Sequence, residues 1–128
     1  MRIDHIGYAV KNIERAKKSM EALGYVFGET IEDEARKVSI AFGELDGYRI
    51  ELVAPNGEET PVDLHLSKIG PTPYHICYKS EDIESDIEAL KKARFKVSVP
   101  LAPAVAFGGK RVAFLYSLSV GMIEIVEE

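Results

Sequence analysis

Two stretches of this chain repeat each other at a spacing of 70 residues, and no other feature limits the possible folds as much. His5 falls on His75, Ile6 on Ile76, Tyr8 on Tyr78, Ile13 on Ile83, Glu14 on Glu84 and Tyr25 on Phe95. A three-residue insertion before the last hairpin carries the offset to 73, where Ile50-Glu51-Leu52-Val53 falls on Ile123-Glu124-Ile125-Val126. Two copies of one unit are expected to fold alike, so the elements of one half predict those of the other.

Residues 3–10, IDHIGYAV, are apolar and rich in β-formers. The segment KNIERAKKSMEALG follows, with Ile13, Ala16, Met20 and Leu23 at helical spacing, Asn12 as N-cap and Gly24 as C-cap. YVFGET is a second strand, and the polar IEDEARK reads as a loop. VSIAFGELDGYRIELVAP reads as a hairpin turning at Asp46-Gly47, which completes a β-α-β-β-β unit. A Pro- and Gly-bounded linker follows, with a short helix over Val62 to Lys68. The second copy then runs YHICYKS (strand), EDIESDIEALKKAR (helix), FKVSV (strand), PLAPAVAFGGK (apolar loop) and RVAFLYSLSVGMIEIVEE (hairpin). The loop Pro100 to Lys110 has two readings: a cover over the core edge, or a lid hinged at Gly108-Gly109. The expectation is one domain over 1–128, with module one at about 1–56, a linker at about 57–72 and module two at about 73–128.

A chain of 128 residues buries a sizeable core without staples. Its net charge of −5 argues against a nucleic-acid partner, because phosphate binding wants a clustered positive field. No apolar run reaches the roughly 18 residues of a membrane helix, and no secretory signal is read at MRIDHIGYAV. The single cysteine, Cys77, excludes an internal disulfide, and the expected location is the cytoplasm. Cys77 itself reads as core, and His65, which has no counterpart in the other half, as a linker residue outside any site.

The chemistry lies in the repeated polar types. Glu51 and Glu124 stand within apolar strand text, where a buried carboxylate is costly unless paired, protonated or bound to a metal. Either Glu alone is read equally well as solvent-facing, and either His as a satisfied polar residue. It is the recurrence of both types at matched places that points to a ligand set of His5, Glu51, His75 and Glu124. Two imidazoles and two carboxylates suit one divalent ion such as Co, Ni, Zn or Mn. Glu32, Asp33 and Glu34 read as a solvated loop, from which Glu34 could reach a site as a second acid or base.

Over essentially the whole chain, this order of motifs resembles the vicinal-oxygen-chelate superfamily of glyoxalases, bleomycin resistance proteins and dioxygenases. Within it, DHIGYAV, IELVAP, HLSKIGPTPYHICY, DIESDIEALKK, AFGGKRVAFL and MIEIVE resemble methylmalonyl-CoA epimerases. Many epimerases carry Gln at the position of Glu51, His-His where this chain has Tyr74-His75, and a Pro-containing acidic turn at Ser117-Leu118-Ser119. The next resemblance is to glyoxalase I (lactoylglutathione lyase), whose His-Glu-His-Glu set also matches, though its Pro-Asp-Gly turn is missing.

The resemblance implies an α+β fold, two tandem βαβββ modules forming a cup-shaped mixed sheet around a metal site. It implies abstraction of a proton next to a metal-bound carbonyl through an enolate, with Glu124 as one acid–base group and Glu51 or Glu34 as the second. The substrate implied is a thioester of coenzyme A or glutathione, turned over by an isomerase or a glyoxalase-type lyase that forms a homodimer. A non-catalytic drug-binding protein of the same fold is the alternative from another class.

Overall fold

The computed structural model describes residues 1–128, which divide into two compact units, His5–Tyr74 and Met1–Asp4 with His75–Glu128. The fold is α+β, as expected, with nine strands and three α-helices. No helix is long and apolar enough to cross a membrane.

In the unit His5–Tyr74, β1 (Arg2–Ala9) leads into α1 (Ile13–Glu21). Asn12 caps α1 by accepting a hydrogen bond from the Arg15 amide at 2.9 Å. The helix stops at Ala22, so Gly24 lies beyond the cap at φ +109° and Leu23 is exposed. β2 (Val26–Phe27), β3 (Ile31–Asp33), β4 (Val38–Leu45) and β5 (Tyr48–Pro55) follow. Their order is β2-β4-β5-β1, with β3 also on β4 and β1 parallel to β5. Asp46 (φ 54°) and Gly47 (φ 80°) both adopt the left-handed turn that a two-residue hairpin requires. Ile13, Ala16 and Met20 pack on Ala41, Ile50, Leu52 and Ala54 of the sheet. The linker helix α2 (Asp63–Lys68) follows.

The expectation that IEDEARK is a loop is corrected over its first three residues. Ile31–Asp33 pairs antiparallel with Val38–Ile40. The buried Asp33 closes the turn between them by accepting from the Arg36 amide at 3.0 Å. A polar strand forms here because an unpaired stretch of β4 is available to it, which local composition does not report.

The second unit carries β6 (Thr72–Ser80, from His75), α3 (Ile83–Lys92), β7 (Lys96–Pro103), β8 (Arg111–Ser117) and β9 (Gly121–Glu127) in the order β6-β9-β8-β7, with β6 parallel to β9. Asp82 caps α3. Ile83 and Ile87 bury against Ala113, Leu115, Ile123 and Ile125. Each such aliphatic side chain contributes roughly 1.5–3 kcal/mol by leaving water.

β7 runs on through Pro100 and Pro103, beyond the expected FKVSV. It is an edge strand with two register shifts against β8, where a missing amide proton breaks no ladder. The next residues, Val105–Phe107, form a short 3-10 turn, and Phe107 packs on Cys77, Ala104, Val112 and Val126. That contact favours the core-cover reading of Pro100–Lys110 over the lid. Phe107→Ser should therefore lower Tm by several degrees while KM stays within about twofold. A raised KM with unchanged Tm would restore the lid.

Arg111 ties the second unit together. Its Nη2 lies 3.0 Å from Glu127 Oε1 and 2.7 Å from Glu84 Oε1, so β8, β9 and α3 share one guanidinium. Its hydrogen bonds hold both carboxyls below the usual carboxylate range. A carboxyl depressed in the folded state stabilises above its unfolded pKa, near 4.5, and the contribution is lost as pH falls through the folded value. Arg111→Met should thus shrink the loss of Tm between about pH 7 and about pH 3. An acid limb identical to wild type would show that these pairs contribute nothing.

Candidate metal and acid–base site

His5 comes from β1 and Glu51 from β5. Their parallel register pairs Gly7 with Glu51, which puts Glu51 on the face that carries His5 one pleat back. His5 Nε2 lies 3.4 Å from Glu51 Oε1, and the two side chains are 0% and 4% exposed. Directly opposite Glu51 on β4 stands Phe42. Its ring meets the His5 imidazole edge-on, with centroids 5.6 Å apart at 74°. Arg49, one pleat before Glu51, places its guanidinium carbon 4.0 Å from the centre of the Phe42 ring.

The second unit builds the same arrangement. Cys77 pairs with Glu124 in the parallel register of β6 and β9, and His75 stands one pleat back. His75 Nε2 lies 3.0 Å from Glu124 Oε2, again with 0% and 4% exposure. Phe114 stands opposite Glu124 on β8 and meets His75 edge-on at 5.3 Å and 86°. The repeated element is therefore a triplet of His, Glu and Phe.

Phe42 and Phe114 escaped sequence reading because they match at an offset of 72. The three-residue insertion proves to be divided. Two residues are added before β8, and one lies in the β8–β9 turn, where Leu118-Ser119-Val120 replaces the two-residue Asp46-Gly47. The aromatic alternation before each turn was the signal available.

The solvent-facing reading of the two glutamates is corrected, since Glu51 and Glu124 are each 3% exposed. Withdrawing a carboxylate from water costs several kcal/mol unless strong partners replace the water. Each carboxylate has an imidazole nitrogen beside it, and a cation shared with that nitrogen would supply the remaining charge. Each unit thus offers one buried imidazole and one buried carboxylate as candidate ligands. In donor type and burial they fit a borderline divalent ion.

The acidic run near β3 is split by the fold. Glu32 Oε2 accepts from Ser39 Oγ at 2.6 Å and Asn56 Nδ2 at 2.7 Å. Asp33 is buried in its turn, and Glu34 faces solvent on the same turn. His65 Nε2 lies 2.6 Å from Thr72 Oγ1 and its ring is 5.6 Å from Tyr74, so it pins α2 to the following strand. Cys77 is fully buried in the core.

Comparison with known proteins places these features. Residues 4–114 match the Glyoxalase/Bleomycin resistance protein/Dioxygenase superfamily. The chain is 33% identical over 118 residues to the ethylmalonyl-CoA/methylmalonyl-CoA epimerase of Cereibacter sphaeroides, covering 90% of this chain and 87% of that protein. It is 31% identical over 117 residues to the uncharacterized protein YqjC of Bacillus subtilis, covering 89% and 81%. Among solved structures, a variant of Streptomyces coelicolor methylmalonyl-CoA epimerase in complex with 2-nitronate-propionyl-CoA superposes with a TM-score of 0.85 at 25% identity, covering 100% of this chain and 97% of that one.

Proposed function

We propose that this chain, which belongs to the Glyoxalase/Bleomycin resistance protein/Dioxygenase superfamily, is a metal-dependent isomerase that epimerises an acyl-CoA thioester. The observation that carries this reading is the duplicated buried pair, His5 with Glu51 and His75 with Glu124. The epimerases among its relatives, and their thioester chemistry, support the substrate class.

His5, Glu51, His75 and Glu124 would hold one divalent ion, of Co, Ni, Zn or Mn type. When bound, the ion supplies Lewis-acid polarisation of a thioester carbonyl. The residues do the rest. The Glu124 carboxylate takes the proton from the carbon next to the carbonyl, and the bonding pair moves into an enolate. A second carboxyl returns a proton to the opposite face, since inversion needs acid–base groups on both sides of the carbon. Glu51 and the solvent-facing Glu34 are the two candidates for that role. Phe42 and Phe114 hold the imidazoles edge-on and exclude water from them, which strengthens every charge interaction nearby.

The test is hydrogen exchange in heavy water with methylmalonyl-CoA. Deuterium should enter the carbon between the two carbonyls, with inversion there and the thioester carbonyl left in place. Turnover of the glutathione hemithioacetal of methylglyoxal, without exchange in the malonyl thioester, would select the glyoxalase I reading. Binding of either compound with no exchange at all would select a sequestering protein.

A further inference from the structure

The chain has two asparagines, and the fold treats them differently. Asn12 caps α1: its side chain is occupied by the Arg15 amide, and the β-branched Ile13 follows it into the helix. Asn56 stands just past the end of β5, exposed, and Gly57 follows it. Gly57 is exposed as well, at φ +114°, and a Cβ built on it would meet nothing within 4 Å beyond its neighbours in the chain. Its amide takes no part in a backbone hydrogen bond. The Asn56 carboxamide is therefore followed by an amide nitrogen that no side chain shields, in a bend where glycine leaves the backbone free to turn toward it.

Asn56 is also a tie. Glu32 Oε2, on β3, accepts from Asn56 Nδ2 at 2.7 Å and from Ser39 Oγ of β4 at 2.6 Å. The Asn56 amide donates to the Lys37 carbonyl at 2.9 Å, and Lys37 Nζ donates to the Glu58 carbonyl at 3.3 Å. The loop after β5 is thus clasped to the β3–β4 hairpin, and one carboxylate oxygen joins three segments. A carboxylate only accepts, so the Asn56 side chain must present a donor to it.

We propose that Asn56-Gly57 is a self-modifying site, whose deamidation exchanges the donor held by Glu32 for a second carboxylate. The Gly57 nitrogen gives up its proton and bonds to Asn56 Cγ, which closes a cyclic imide. The Cγ–Nδ2 bond breaks, and Nδ2 takes up that proton and leaves as ammonia. Water then opens the imide at either carbonyl, giving an aspartyl or an isoaspartyl residue. Nothing is oxidised or reduced: an amide and a water become a carboxylate and an ammonium ion. The product sets like charges where the hydrogen bond stood. The isoaspartyl form also inserts a methylene into the backbone beside the Lys37 clasp. In both forms the hairpin loses part of its hold on the loop.

The test ages the folded full chain in warm, mildly alkaline buffer and follows both asparagines by peptide mass spectrometry with isoaspartate detection. Asn12, immobilised as a cap, is the internal reference. Conversion at Asn56 should exceed that at Asn12 by about 10-fold or more, with isoaspartate among the products and a rate that rises with pH. Conversion at Asn56 no faster than at Asn12 overturns the proposal. The consequence for the hairpin is measured on variants that have not been aged. Asn56→Asp should lower Tm by about 2–6 °C at neutral pH. Adding Glu32→Gln to it restores a donor–acceptor pair of reversed polarity and should recover most of that loss, with Glu32→Gln alone measured alongside. An unchanged Tm in Asn56→Asp, or a loss that Glu32→Gln leaves uncorrected, overturns the role given to the tie.

Discussion

Replacing either His5 or His75 with Ala should strip the protein of its metal. Wild type purified without chelator is expected to carry close to one divalent ion per chain, and each variant a small fraction of that. Metal-binding energies on the order of 10–16 kcal/mol over four ligands imply roughly 2.5–4 kcal/mol for each, or about 60- to 700-fold in affinity. The effect is sharpened by burial. Each histidine is the neighbour of a carboxylate that is 4% exposed, so its removal takes away a partner as well as a ligand. Activity should fall with metal content in both variants, because the repeat makes the two positions equivalent. Addition of the metal should raise the Tm of chelator-treated wild type by several degrees and leave both variants nearly unmoved. Full occupancy in both variants, measured by elemental analysis, would end the four-ligand assignment.

Glu124→Gln separates holding the ion from moving the proton. The amide keeps an oxygen ligand at the same length but cannot accept the substrate proton. Turnover should drop about 10²- to 10⁴-fold while much of the metal remains. Hydrogen exchange should survive for one hand of the thioester and disappear for the other, since a single acid–base group has been lost. The same measurement ranks the candidates for the second role. Glu51→Gln also retains an oxygen ligand, in the form that the resemblance to epimerases finds at this place. If Glu34 returns the proton, Glu34→Gln loses exchange on the opposite hand and Glu51→Gln remains active. If Glu51 returns it, the two results trade places. Unchanged turnover in Glu124→Gln would remove Glu124 from the chemistry.

The fold class and the four polar positions were legible because they depend on residue type and order. Helical spacing from Ile13 to Met20 and from Ile83 to Leu90 appears as helices on the sheets. Asp46-Gly47 turns the hairpin because Gly, and next Asp, tolerate positive φ most readily. His and Glu within apolar strand text stood out since both types are uncommon there, and their recurrence gave two independent sightings of one pattern.

Other features were illegible for equally physical reasons. Ile31–Asp33 is polar and short, and becomes a strand only because β4 offers it backbone partners. Pro100 and Pro103 argue against a strand in general, and are tolerated here because β7 is an edge. Gly43 shows the same dependence on a distant neighbour. It pairs with Phe27, and a Cβ there would meet that ring at 2.4 Å.

By itself, then, the sequence determined the fold class, the repeated order of strands and helix, the Asn12 cap of the first helix, and the identity of the histidines and glutamates. All of these follow from local propensity, periodicity and residue type. Only the tertiary structure decided that Phe42 and Phe114 back the imidazoles, that Arg49 lies over one of those rings, and that Tyr116 and Met122 stand where Glu44 and Arg49 do in the other half. These are relations between strands. A single extra residue in the β8–β9 turn shifts the match between copies by one, and strand register, which a turn of that length helps to set, decides which side chains meet across the sheet.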